Sequence, residues 1–423
     1  MADGSVSRRD FMRSAMAGTI AVGGAALMTG KANGQEKKCF RIGLIGCGGR
    51  GNGALRNSLS AGKALGVEMR VVGLADAYED RVDRARKGLL KDHKMDVPDE
   101  ACFVGFDAYK KLLATDVDVV LMATPPSFRP WHFEAAVKAG KHVFMEKPVA
   151  VDPVGCCKVM EAGKLAKEKG LGVVAGTQRR HSANYIATQK MVADGAIGRI
   201  LGGEVRWCMG RLWFKERKPG WDDAEYMVRN WVSFTEMSGD HIAEQHVHNL
   251  DVANWFIGSH PISAVGFGGR ARRKTADQYD FFSVDFEYPD GVHIHSMCRQ
   301  VNGCWNRVNE RLVGEKGWTS CSGKIKATPE VKVPKVKRTD PYTQEHCDLL
   351  ESILKGKPLM EAQNVAESTM TAVMGRISAY TGQMVKWDDM MKSDFQLKPS
   401  PQDFESGTVK APPDDVVAIP GKA

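Results

Sequence analysis

The sequence predicts an α/β protein in which an N-terminal doubly wound parallel sheet is followed by an α/β domain with a large, open, mainly antiparallel sheet. Three observations carry this. In the first third of the chain, short apolar runs alternate with helix-length amphipathic stretches, the pattern of strand–helix–strand crossovers. A glycine cluster, Gly46-Cys47-Gly48-Gly49-Arg50-Gly51, stands between the first apolar run and the first helical stretch. After Gly176 the segments lengthen and alternate apolar with polar residues at period two, as strands with one covered face do.

Residues 1–34 read as an address rather than as fold. Ser7-Arg8-Arg9-Asp10-Phe11-Met12 matches the twin-arginine pattern, and residues 15–28 form an uncharged stretch rich in glycine and alanine. That stretch is too short and too weakly apolar for a spanning helix, and no later segment is a candidate. The expectation is a signal peptide and a periplasmic or otherwise exported mature chain. An uncleaved anchor is the alternative.

Residues 41–46 are the first strand and residues 52–61 a helix. Residues 71–75 are a second strand, followed by a charged helix over 79–90. Residues 117–123 and 141–145 are two further apolar runs. Together these bound a first domain at 39–178, whose ligand belongs at the carboxyl ends of its strands. In a second domain, 179–397, strands are expected at 200–208, 281–288, 292–298 and 311–314. Pro289-Asp290-Gly291 is expected to join two of them as a hairpin. Helices at 242–256, 344–354 and 362–381 are expected beside that sheet. From 398 to 423 the chain is rich in proline and acids without periodicity, and reads as an extended arm.

With 423 residues, 43% hydrophobic and 26% charged, the chain can fill two cores. The net charge is +8, and residues 1–34 hold four cations against two acids, leaving +6. No basic run interleaved with aromatics occurs, which argues against a nucleic-acid partner. The ten cysteines show neither CxxC nor ligand-like spacing, so a disulfide framework and a zinc site are both disfavoured.

The glycine cluster follows a buried strand and precedes a helix, and Asp76 ends the next strand 25 residues after Gly51. In that setting Gly46, Gly48, Gly49, Arg50 and Gly51 imply a dinucleotide site, since a backbone free of side chains and a helix N-terminus suit a pyrophosphate. Asp76 would accept the adenosine ribose hydroxyls and oppose a 2′-phosphate, favouring NAD over NADP; Arg81 and Arg84 soften that preference. Thr124 and Pro125 end the third long run, and Glu146-Lys147-Pro148 ends the fourth, so all lie on the ligand-bearing edge. An ammonium there can bond a substrate hydroxyl and ease loss of its proton; the plain alternative is a Glu146–Lys147 pair. Residues 241, 244, 248 and 251 recur at spacings of three, four and three, one face of a helix. His248 oriented by Glu244 would then be a general acid/base. Metal binding by His241, Glu244 and His248 is the weaker alternative, so no metal is assigned.

The glycine cluster, Ala123-Thr124-Pro125, Glu146-Lys147-Pro148 and His248-Asn249-Leu250-Asp251 resemble the Gfo/Idh/MocA oxidoreductases over residues 41–387. The resemblance implies a Rossmann domain, a second domain whose open sheet builds a homo-oligomer (dimer or tetramer), and sugar or cyclitol substrates. It makes Lys147 and His248 the catalytic pair and Glu244 the counterpart of an aspartate common in the family. It also suggests Arg180, Asn230 and Asp251 as substrate contacts, with Trp207, Trp213 and Trp231 as sugar-stacking walls or as core. The activity it implies is NAD(P)-dependent oxidation of a carbohydrate CH–OH group, and the export signal adds the expectation of a tightly held cofactor. A redox-neutral hydrolase or lyase and a non-catalytic sugar-binding protein are the alternatives.

Overall fold

A computed structural model describes residues 38–414 and 416–422, so the twin-arginine segment lies outside the described residues. The first sheet has six strands: β1 (Cys39–Ile45), β2 (Glu68–Asp76), β3 (Cys102–Val104), β4 (Val119–Met122), β5 (His142–Met145) and β6 (Val173–Ala175). They run parallel in the order β3-β2-β1-β4-β5-β6. Val119, Val120, Leu121 and Met122 are all buried, because helices cover both faces and leave no polar side to alternate with. The strand order reverses between β1 and β4, which opens a crevice at their carboxyl ends. β3 and β6 are three residues each, too short to show a period in sequence.

The second sheet has eight strands: β7 (Ile200–Met209), β8 (Ser263–Gly269), β9 (Phe281–Tyr288), β10 (Val292–Gln300), β11 (Arg307–Gly314), β12 (Gly317–Thr319), β13 (Ile325–Ala327) and β14 (Val385–Lys386). Their order is β13-β12-β11-β7-β10-β9-β8-β14. Every neighbouring pair is antiparallel except β7 and β10, which run parallel at its centre. β9 and β10 meet at Tyr288 and Val292 around the expected Pro289–Gly291 turn. The helix Ala362–Thr381 packs on β8 and β9, and Gly375 admits the Phe286 ring, whose nearest carbon would be 2.8 Å from an added Cβ.

The helix Pro341–Leu354 departs from expectation. It packs against the helix Gly49–Leu65 of the first sheet rather than beside the second, and its Leu349 and Leu350 share a core with Leu55, Leu59 and Phe144. The helix expected over 242–256 is two helices, Asp240–Glu244 and Val247–Ile257. At the break the N–H groups of Gln245 and His246 both point to the His241 carbonyl. The 398–423 segment carries a short helix, Pro401–Ser406, started by a Ser400/Asp403 capping box, and Phe404 is buried beside Phe128. Among the described residues no helix is long and apolar enough to cross a membrane.

Candidate active site

β1 ends at Ile45 and the chain turns at Gly46, whose φ of +95° is open to glycine but costly for other residues. A Cβ on Gly46 would also stand 2.7 Å from the backbone of Ala123 and Thr124. A Cβ on Gly51 would stand 1.8 Å from the Gly46 carbonyl oxygen, so the helix start is pressed onto the turn. Gly48 and Gly49 face open space apart from the Arg81 guanidinium, 3.8 Å from a Cβ on Gly48. Close approach therefore fixes two of these glycines, and the other two leave backbone exposed to a ligand.

Asp76 ends β2 and accepts N–H bonds from Cys47 at 2.7 Å and Tyr78 at 3.1 Å. Burial raises its pKa, and the two N–H bonds act against that. The carboxylate thus shapes the glycine turn as well as facing the crevice. Glycine turn, Asp76, Thr124 and Pro125 line one cavity of about 450 Å³, with Phe106 and His132 among its other walls. Burial drops the His132 pKa to about 3, so this wall is neutral. A glycine cradle, a helix N-terminus and a carboxylate at the ribose position fit a dinucleotide.

Glu146 is buried at the end of β5 and is ion-paired with Arg50 of the glycine turn. Arg50 also reaches Glu345 at 3.2 Å and lies over the Tyr342 ring. The Glu146 carboxylate leaves no room for a side chain at position 176, where a Cβ would be 2.6 Å away. Glu146 therefore holds the loop and not Lys147. Lys147 instead donates to the Glu244 carbonyl at 2.5 Å, and its ammonium lies 3.6 Å from the Glu244 carboxylate. The Glu244 carboxylate in turn takes a bond from Gln245.

His248 is buried with its ring 5.7 Å from that of Trp207 and nearly parallel to it. Burial, with the nearby charges of Lys147 and Arg179, drives its pKa well below the usual value, so the ring is neutral. Its Nδ1 is enclosed without a partner, which leaves Nε2 as the nitrogen open to a substrate. Lys147 and Glu244 thus meet, and the Lys147 charge reaches His248, by a route other than one helical face. His241 turns away to bond Asp240 and pack near Phe282.

The residues expected as substrate contacts have partners within the protein. Arg180 and Asp251 form a buried bidentate pair at 2.9–3.0 Å, closed further by Ser368 at 2.8 Å, so their groups are used on each other. Asn230 is fully buried and spends its amide on the backbone of Lys215 and Tyr226. Arg179, missed in sequence, lies over Trp207 beside His248 and pairs with Glu310, which Asn249 and Tyr185 also bond. Adjacent arginines in the turn Gln178–His181 point to different sides, and nothing in their spacing separates them. Among the described residues no cluster of histidine, cysteine and acids could hold a metal.

Two family models match: the oxidoreductase family's NAD-binding Rossmann fold over residues 40–177, and the GFO/IDH/MocA C-terminal domain over residues 185–320. Inositol 2-dehydrogenase of Rhizobium meliloti is 25% identical over 209 residues, 48% of this chain and 57% of that one. The 2,7-anhydro-N-acetylneuraminate hydratase of Escherichia coli is 27% identical over 178 residues, 41% and 44% of the two chains. The matched stretch thus spans about half the length of these curated relatives. The WlbA dehydrogenase of Bordetella pertussis, solved with NADH and UDP-GlcNAcA, superposes with a TM-score of 0.62 at 20% identity, over 82% of this chain and 99% of that one. Carrying the NAD-binding Rossmann fold and, beyond it, the matching C-terminal domain, the chain belongs to the Gfo/Idh/MocA family of oxidoreductases.

Proposed function

We propose that this chain is an NAD-dependent oxidoreductase acting on a CH–OH group of a sugar or sugar derivative. The observation that carries the reading is that Lys147, whose charge reaches neutral His248, directly follows Glu146, the partner of the cavity-lining Arg50. The bound nicotinamide supplies the hydride acceptor. Lys147, oriented by the Glu244 carbonyl, has further N–H bonds to offer a substrate hydroxyl and stabilises the oxygen as its proton leaves. His248 takes that proton at Nε2, since burial has left its ring unprotonated. Trp207 packs against that ring and under the Arg179 guanidinium, which fixes the His248 plane. The carbohydrate class draws support from the inositol dehydrogenase relative.

The hydratase relative favours a second reading, in which oxidation is transient and net redox change is zero. The twin-arginine segment supports export to the periplasm with the cofactor already held, because that route carries folded proteins. Val265 and Phe267 stand exposed on β8, which supports pairing of the open sheet in a homo-oligomer.

The test is to heat-denature purified protein, identify the released nucleotide and its redox state, and incubate fresh protein with a sugar panel. Sugar-dependent NADH or a second reduced sugar is the expected result. A dehydrated or hydrolysed product without net reduction would transfer the assignment to the second reading. Binding of a sugar without turnover would leave a non-catalytic protein.

A further inference from the structure

Between β7 and the helix Asp223–Arg229 the chain leaves the second sheet and crosses the cavity of the first, where Trp213, Lys215, Val228, Arg229 and Trp231 join Asp76 and Arg81 in its lining. Residues 210–222 have almost no regular structure, so side chains hold the crossing in place. Asn230 clamps Lys215 from both sides, accepting its N–H at 2.8 Å and donating to its carbonyl at 3.0 Å. Arg229 ties the segment to the first sheet's helix Glu79–His93 through Asp80, at 2.7 and 3.1 Å, and lies over the Tyr78 ring. Phe214, Tyr226 and Phe404 back it from behind.

This clamp leaves two side chains open to the cavity, Trp213, which stands edge-on to Trp231, and Lys215. Trp213 is 45% exposed although it lines a cavity. Lys215 pairs with no carboxylate among the described residues, and its ammonium lies 5.3 Å from the Trp213 ring centre. Partial burial, followed by the nearby Arg81 and Arg229 charges, lowers its pKa, and Asp80 acts against them. An apolar ring next to one cation without a carboxylate partner suits a ligand that is aromatic and anionic together.

We propose that residues 211–231 form a cover over the adenosine end of the dinucleotide. Trp213 is its apolar wall, Lys215 the cation that meets the phosphate-bearing side, and Asn230 the positioning residue that sets both. The proposal rests on reading the cavity as the dinucleotide site, and it makes cofactor retention a property of the second half of the chain.

The experiment uses the full chain stripped of nucleotide, with calorimetric titration of NAD, ADP and nicotinamide mononucleotide and stopped-flow measurement of NAD release. Trp213→Ala and Lys215→Ala replace exposed side chains. Each is expected to weaken ADP and NAD by about tenfold, the scale of losing one ring or cation from a nucleotide contact, and to speed NAD release. Nicotinamide mononucleotide, which lacks the adenosine, should bind unchanged. Asn230→Ala should show the same split between ADP and the mononucleotide, whereas general unfolding would weaken both. ADP binding equal to the unmodified protein in both exposed variants overturns the cover alone. An unmodified chain that binds neither NAD nor ADP overturns the oxidoreductase reading and the cover with it.

Discussion

Lys147 donates to a main-chain carbonyl that a continuous helix would have used itself, so its orientation depends on the break at Gln245 and His246. Lys147→Met should leave NAD affinity close to normal and lower turnover by about two to four orders of magnitude, measured at saturating cofactor. Near-normal turnover would remove the residue from the chemistry. Asp76 carries a double load. Asp76→Ser should bring NAD and NADP affinities closer by about tenfold and cost about 1–2 kcal/mol of stability, because the Cys47 and Tyr78 N–H groups lose a charged acceptor. A selectivity change without a thermal shift would show that the two roles separate. At this scale the close packing of Gly46 and Gly51 and the place of Asp76 were legible, because close backbone approach demands a residue type, while the proton-transfer roles of Lys147 and His248 belong to the proposal. Arg179 was not, since which of two neighbouring arginines faces His248 is settled by Glu310 and Asp251, 131 and 71 residues away along the chain.

Elements were readable where length and an unbroken pattern coincide; β8, seven residues with three glycines, and the helix Pro153–Glu168 were not among those expected. Four runs of the first sheet and the period-two strands β7, β9, β10 and β11 stand close to their expected positions. The three-residue strands escaped because burial by neighbours, not local pattern, makes them strands. The broken helix escaped for a related reason: Asp240 at φ +64° and two N–H groups donating to the one His241 carbonyl are tertiary choices that helix propensity does not encode. The junction of β1 with its helix is the most tightly specified. Gly51→Ala should abolish NAD binding and destabilise the fold by about 3 kcal/mol, since the added methyl meets a carbonyl that β1 and β4 hold in place. Calorimetric titration and urea unfolding check the two halves, and retained affinity would contradict the close approach.

Across the whole molecule, four buried histidines are kept neutral. Burial takes His132, His246 and His346 down to about 3 and His248 well below its usual value. Unfolded histidine titrates near 6.5, so below that pH the unfolded chain binds protons that the fold refuses. Their stability contribution is full above about 6.5 and falls with decreasing pH by about 1.4 kcal/mol per unit for each histidine. His181 has the opposite sign: burial opposes its charge, but Glu361 and Asp348 outweigh that and push it up to about 10. Its contribution is full below about 6.5 and fades as pH rises through 10. Burial also raises Glu236 to about 8, Asp277 to about 6 and Glu345 well above its usual value, and these carboxylates carry the sign of His181 over the same range. The histidine part is isolated by His346→Gln, whose melting temperature should fall less between pH 7 and 5 than that of the unmodified chain; equal falls would contradict it. The helix Pro341–Leu354 adds a constraint of timing. A ribosome releases all six strands of the first sheet by residue 175, yet the groove beside the helix Gly49–Leu65 stays bare, and Arg50 lacks Glu345, until residue 354 has emerged. A fragment of residues 38–178 should accordingly aggregate and bind NAD weakly, as light scattering and titration would show. The nascent chain completes its nucleotide cradle only when most of its synthesis is over.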